Sequence, residues 1–285
     1  MIPVAFDYLA PTTVDEALAA LAAGGDDAKV MGGGQSLLPI LRMRLNAPDT
    51  LVDLGRIQAL RGIRDAGDHL AIGAMTPYSD LLASDLVHEH AALLAKAVAE
   101  VADPQIRHRG TIGGALVHAD PAGDVGAPAL ALEAQLVIAG ADGSTRTVAA
   151  EDFFEDLFTT AVGEGELLTQ IRVPKHTGWG AHYEKFVRVS HQWSIVGVAA
   201  TVRSEGGSIA EARVGLTNMG STPLRARSVE AALVGQPATD EAVRAAVASV
   251  ADGTNPPSDL NGDSDYRKHL ATVLTRRAVL AAAGA

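Results

Sequence analysis

The sequence predicts an α+β chain of two domains: an N-terminal part built from α/β units, and a smaller C-terminal part of three antiparallel strands with helices. Three observations carry this. Residues 13–54 run helix, strand, glycine turn, helix, strand, an order that favours helices layered on a sheet. Residues 181–218 read as three consecutive strands, the last two joined by Glu-Gly-Gly-Ser at 205–208. Beyond residue 229 the pattern is helical to the end.

Thr13 and Glu16 form a capping box ahead of the apolar run 14–23, which Gly24 and Gly25 stop. A short strand at Lys29–Met31 leads into three glycines and a helix through 37–45, and Leu51–Leu54 is the next strand. A second unit starts near Gly55. Leu70–Thr76 reads as a strand, and His88–Ala102 as one helix with Leu93, Leu94, Ala97, Val98 and Val101 along one side. Asp103-Pro104 ends it, because a proline pushes its predecessor out of the helical region. Gln105–Pro128 carries little regular periodicity, and so long an irregular stretch in a compact domain points to function. Gln135–Gly140 and Ser144–Ala150 flank Ala-Asp-Gly as a hairpin, and Leu167–Pro174 adds a strand. Pro174–Gly180 is the expected linker. The expected domains are therefore 1–176, with subdomains of about 1–55 and 56–176, and 177–285. The second contains strands at 181–189, 194–204 and 211–218, then helices at 229–235, 240–251 and 265–283.

Composition excludes several classes. With 47% apolar residues the chain buries a real core and is not disordered. A formal charge of −11 argues against a nonspecific nucleic-acid binder. The absence of cysteine rules out disulfides, thiolate zinc sites and iron–sulfur ligation within this chain. The first ten residues lack the basic and apolar regions of a secretory signal. Val125–Ala141, the most apolar stretch, is interrupted by Pro128, Glu133 and Gln135, so it reads as buried core rather than a membrane span. A cytoplasmic location is expected.

The sharpest local signal is Gly32-Gly33-Gly34-Gln35-Ser36 between a strand and a helix. Consecutive glycines let backbone N–H groups approach an anion closely, so a phosphate or pyrophosphate is the natural occupant, with a structural tight turn as the alternative. The Walker pattern is absent, since Gln35-Ser36 stands where Lys-Ser/Thr is required. The Rossmann fingerprint fits only in part, because Leu37 occupies the third glycine position. The second signal is Thr111-Ile112-Gly113-Gly114-Ala115, followed by His118, Asp120 and Asp124. Two glycine segments suit two loops gripping one diphosphate, or else two independent turns. His118 with the two aspartates could be an acid–base set, but no nucleophile accompanies it, so cofactor-loop scaffolding is preferred. His88 and His90 lie two apart on a helix and do not share a face, which argues against a metal site. Arg107-His108-Arg109 is either a solvated turn or a basic group beside a diphosphate or partner.

Taken together, GGGQSLLPILRMRL, TIGGALVHADPAGD and YEKFVRVSHQWSIVGVA resemble the flavoprotein (medium) subunit of molybdenum hydroxylases, in order and over essentially the whole chain. Carbon monoxide dehydrogenase and xanthine dehydrogenase belong to this family. The resemblance implies FAD held by an N-terminal domain of the p-cresol methylhydroxylase-like type, made of two α/β subdomains. It implies diphosphate on the backbone amides of Gly32, Gly33, Gly34, Gln35 and Ser36, with Leu37 alongside. Thr111, Gly113, Gly114 and Ala115 are implied to do the same from the other side. Many members have Asn at the position of Ala115, so one side-chain bond is missing here. Asp124 is implied to bond the ribityl or nearby hydroxyls, and Lys29 to be a basic group near the cofactor. Val101 and Ala102 would wall the adenine side, and Leu168 and Lys185 would pack or bond near the isoalloxazine. Trp193 would shield the flavin face, or else sit in the strand core. No catalytic acid or base and no metal ligand is expected, and valine at Gly33 or Gly114 is expected to empty the site while the fold persists.

The function implied is that of an FAD-carrying electron-transfer subunit. Its partners would be a small subunit with two [2Fe–2S] clusters and a large subunit with the molybdenum cofactor, in a dimer of heterotrimers. Competing readings are a stand-alone FAD oxidase or dehydrogenase, and a non-redox nucleotide-binding assembly module.

Overall fold

The computed structural model describes residues 2–285. The first unit consists of β1 (Asp7–Leu9), α1 (Val14–Gly24), β2 (Ala28–Met31), α2 (Leu37–Arg42) and β3 (Thr50–Asp53). Its strands form a parallel sheet in the order β1-β3-β2. The capping box starts α1: the Thr13 hydroxyl accepts from the Glu16 amide at 3.1 Å and the Glu16 carboxylate accepts from the Thr13 amide at 3.2 Å. Ala17, Leu18 and Leu21 then bury the helix's apolar stripe in one cluster with Val52 and Leu54. β1 was not expected; it is three exposed residues, too short to show a period.

The second unit opens with β4 (Ile63–Asp65) and β5 (His69–Gly73), followed by α3 (Tyr78–Ala83), α4 (Asp85–His90), α5 (Ala92–Ala99), α6 (Pro104–Arg107), α7 (Ile112–His118) and α8 (Gly126–Ala131). It continues through β6 (Gln135–Gly140), β7 (Thr145–Ala149), α9 (Ala150–Phe153), β8 (Phe154–Asp156), β9 (Thr159–Thr160) and β10 (Glu166–Pro174). Its main sheet is antiparallel in the order β4-β5-β10-β6-β7, with the helices packed on one face. Two expectations are corrected here. The single helix over 88–102 is split at Ala91, whose φ of −142° and ψ of 45° lie outside helical space. The irregular stretch 105–128 holds α6, α7 and the start of α8, none longer than seven residues and so invisible to a periodicity argument. The segment 125–141 is buried as α8 and β6, as its interruptions required.

The last unit comprises β11 (Gly180–Phe186), β12 (Val196–Glu205), β13 (Ser208–Thr217), β14 (Leu224–Arg225), α10 (Arg227–Leu233), α11 (Asp240–Ala246) and α12 (Ser264–Ala283). The sheet order is β11-β12-β13-β14, so the expected three strands gain a two-residue edge strand. Val198 and Ala200 pack with Leu270, Leu274 and Ala278 of α12, while Ala199 and Tyr183 join the core of the preceding unit. Alternate residues of β12 thus serve two cores, which is why its sequence is a continuous apolar run. No helix among the described residues is long and apolar enough to cross a membrane.

Candidate functional site

The first glycine turn leaves β2 at Met31 and enters α2 at Leu37, with Gly34 at φ +76°, a conformation glycine adopts without strain. Among the described residues, the amides of Gly33, Gly34, Gln35, Ser36 and Leu37 make no hydrogen bond within the chain. A folded chain normally pairs its backbone donors, so five consecutive unpaired N–H groups form a concave donor surface for an anion. The Gln35 side chain steadies the turn by donating to the Gly33 carbonyl at 3.3 Å.

The second glycine segment packs directly against the first. A Cβ on Gly32 would lie 3.1 Å from the Thr111 hydroxyl and 3.5 Å from the Gly114 Cα, and one on Gly33 would fall 1.9 Å from the Arg109 carbonyl oxygen. Thr111 caps α7, so the segment is a helix start rather than an open loop. Its amides are mostly spent inside the fold: Gly113 donates to the Ala74 carbonyl at 2.8 Å, Gly114 to the Thr111 hydroxyl at 3.2 Å, and Ala115 to the Thr111 carbonyl at 3.1 Å. The unpaired amides of this region are therefore mainly those of the first segment. Gly113 is buried against Ala74, whereas Gly114 is exposed and keeps the space above Gly32 and Gly33 clear of side chain.

Asp124 is buried and already fully engaged. Its Oδ2 accepts from Lys185 Nζ at 2.7 Å, and its Oδ1 from the Tyr183 hydroxyl at 2.9 Å and from the Ser194 hydroxyl at 3.0 Å. Burial pushes the carboxyl pKa up, while Lys185, Tyr183 and Ser194 pull it back, and the net direction is upward. Burial first, then the neighbouring Asp124 charge, hold the Tyr183 phenol well above its ordinary value. Lys185 also donates to the Glu100 carbonyl at 2.9 Å. All three donors to Asp124 come from β11 or the loop after it. The carboxylate expected to meet cofactor hydroxyls also ties the last unit to the second.

The remaining expected residues lie as follows. Val101 and Ala102 follow α5, with Ala102 at φ +38°. Arg107 Nη1 donates to the carbonyls of Ala99, Val101 and Ala102 at 3.2, 2.7 and 3.3 Å, and His191 Nδ1 lies 2.6 Å from the Ala102 oxygen. Sequence reasoning left Arg107 open and missed His191; neither carries a local signal, because their partners are backbone carbonyls. Lys29 is exposed on β2, and Leu168 is buried in β10 within the helical core. Trp193 is 59% exposed in the loop between β11 and β12, which corrects the strand-core alternative. The ring centroids of His118 and Phe158 lie 5.2 Å apart, and burial lowers the His118 pKa against the opposing charge of Asp120. His88 and His90 bond separately, to the Leu82 carbonyl and the Thr177 hydroxyl. No cluster of three potential metal ligands occurs among the described residues.

A family model described as "FAD binding domain in molybdopterin dehydrogenase" matches residues 4–176, and one described as "CO dehydrogenase flavoprotein C-terminal domain" matches residues 181–282. The carbon monoxide dehydrogenase medium chain of Hydrogenophaga pseudoflava is 42% identical, covering 99% of this chain and 98% of that one. The glyceraldehyde dehydrogenase medium chain of Sulfolobus acidocaldarius is 37% identical, covering 98% of each. Among solved structures, a chain of the Hydrogenophaga pseudoflava carbon monoxide dehydrogenase superposes with a TM-score of 0.95 at 44% identity, covering 99% of this chain and 98% of that one. A chain of quinoline 2-oxidoreductase from Pseudomonas putida 86 gives 0.94 at 32% identity, covering 100% and 99%.

Proposed function

The chain belongs to the FAD-binding medium subunits of the molybdenum hydroxylase family, an oxidoreductase component with an FAD-binding domain, and from that premise we propose how it works. It is the electron-transfer subunit of a multi-subunit molybdenum hydroxylase, standing between [2Fe–2S] clusters in a small partner subunit and an external acceptor. The large partner, with the molybdenum cofactor, oxidises the substrate. This chain has no cysteine with which to ligate clusters, in keeping with that division of labour.

The observation that carries the reading is the row of unpaired amides at Gly33–Leu37 under a gap that Gly32 and Gly114 keep free of Cβ atoms. These groups suit the diphosphate of FAD: donors without acceptors, on backbone that a phosphate can approach closely. Bound FAD supplies the redox chemistry, and the protein supplies binding, orientation and electrostatics. In this reading the Gly33–Leu37 amides hold the diphosphate, with Lys29 adding positive charge nearby. Thr111 and Gly114 set the width of the cleft. Arg107 and His191 fix the Val101–Ala102 wall through its carbonyls. Asp124 acts indirectly by holding Lys185, Ser194 and the loop that carries Trp193. Leu168 and Lys185 border the ring system, and no residue of this chain is assigned a proton-transfer role.

Anaerobic spectroscopy tests the reading. The isolated chain loaded with FAD is expected to bleach with dithionite but not with any substrate of the complex, and addition of both partner subunits is expected to restore substrate-dependent bleaching. Rapid bleaching of the isolated chain by substrate would replace this reading with a stand-alone dehydrogenase.

A further inference from the structure

The antiparallel sheet carries a second feature. β4, β5 and β10 floor a pocket of about 190 Å³. Arg64 pairs across the sheet with Ala71, and Gln170 with Gly73, so each long polar side chain stands beside a residue with almost none. Gly62, at φ +97°, opens onto free space at the rim, and Arg61 flanks it.

The polar lining includes Arg61, Arg64 and Gln170. Arg172 Nε donates to Gln170 Oε1 at 3.1 Å, which occupies the acceptor end of that amide and leaves its NH₂ group as a donor. Arg61 uses one N–H on the Gly55 carbonyl at 3.3 Å and keeps the rest. No carboxylate lines the pocket, and none among the described residues pairs with Arg61 or Arg64. Arg203, Arg213, Arg225 and Arg227, by contrast, each have a glutamate partner. Two arginines without a carboxylate partner thus line one pocket on a chain of net charge −11.

The size limits the occupant. Sites for drug-sized ligands run to roughly 300–1,000 Å³, so this pocket is too small for one and suits a side chain instead. Its position says what carries that group. β4 is the edge strand of its sheet, and an edge offers unpaired backbone N–H and C=O groups that an extended polypeptide can use and a free anion cannot.

We propose that the Arg61–Arg64 pocket receives an Asp or Glu side chain from an acidic segment of a partner subunit, laid along the β4 edge. The proposal rests on the reading of this chain as one subunit of a complex. A guanidinium pair facing a carboxylate gives directional, charge-assisted hydrogen bonds as well as steering.

The test uses the co-expressed complex, with Arg61→Gln/Arg64→Gln in the medium subunit and Lys96→Glu as a control of equal charge change on an exposed position. Subunit dissociation constants and flavin content are measured at low and high salt. The expected result is at least about tenfold weaker assembly for the arginine variant, largest at low salt, with flavin retained and the Lys96 control unaffected. Unchanged assembly overturns the pocket proposal and leaves the subunit reading standing. Equal weakening by the control overturns it too, because bulk charge would then be responsible. Tight binding of inorganic phosphate at the pocket, with assembly intact in the arginine variant, would assign it to a small anion. Failure of the wild-type chain to assemble at all would overturn both readings, and flavin content would still report on the cofactor site separately.

Discussion

A Cβ on Gly33 falls 1.9 Å from the Arg109 carbonyl oxygen, whereas one on Gly114 meets the Thr111 hydroxyl at 2.8 Å and otherwise stands 3.9 Å from Gly32 and Gly33. The two replacements, alike on paper, should part company. Gly33→Ala forces backbone against backbone and is expected to cost roughly 1–3 kcal/mol or more of stability, so its loss of FAD would say nothing about the ligand. Gly114→Val meets the buried Thr111 hydroxyl that caps α7 and adds bulk over the unpaired amides. It should stay folded and melt below wild type by the worth of that cap, about 0.5–2 kcal/mol, while flavin per chain falls at least about tenfold, since close backbone approach is what the position provides. Thermal melts with acid-extracted flavin decide it, and full flavin content in a well-folded Gly114→Val variant would remove the cleft assignment. The sequence shows that both positions are glycine. It does not show that Arg109 and Ala74 stand behind one pair and open space above another, because those neighbours arrive from far along the chain.

At the scale of elements, legibility follows length. α1 is readable from its capping box and apolar spacing and α12 from its helical run, β7 from the hairpin turn, and β6, β10, β12 and β13 from apolar runs bounded by turns. The short helices around Thr111 are not, because fewer than two turns cannot display a period, and the break at Ala91 has no proline or glycine to mark it. The linker is a further case. Its sequence reads as a spacer, yet His176 is buried there, its Nδ1 2.9 Å from the Pro174 carbonyl and its ring edge-on to Trp179 at 4.8 Å between centroids. Burial lowers the His176 pKa below its ordinary 6.5, and that of His118 likewise. Between the folded and unfolded values the unfolded chain binds more protons, so stability rises with pH. The contribution is complete above about pH 6.5 and fades as pH falls toward the lowered folded values. Melting temperature should therefore decline from near neutrality to pH 5, and His176→Gln should flatten that decline. An identical slope in the variant would show that the linker histidine is not part of the acid response.

For the molecule as a whole, the question is what joins the last unit to the first two. The apolar contact of Tyr183 and Ala199 with the helical core supplies one part. Asp124 supplies the polar part, a carboxylate with three donors from across the boundary, one of them the Lys185 ammonium, which is itself only 5% exposed. Asn218 extends the joint: its amide group donates to the Ser194 carbonyl at 2.8 Å while its backbone N–H reaches the Pro121 carbonyl at 2.8 Å. Removing one partner of a buried ion pair strands the other, at a cost of about 3–5 kcal/mol. Asp124→Ala is accordingly expected to lower the urea midpoint strongly, and Asp124→Ala/Lys185→Met to recover part of the loss by removing the stranded charge. Non-additivity between the two substitutions is the signature of the joint, since independent sites simply add. Flavin release should follow the loss of structure and not precede it. Should Asp124→Ala leave the unfolding free energy from urea titration within about 0.5 kcal/mol of wild type yet shed its flavin, the carboxylate would be serving the cofactor directly, and the joint would have to be assigned to the apolar contact alone.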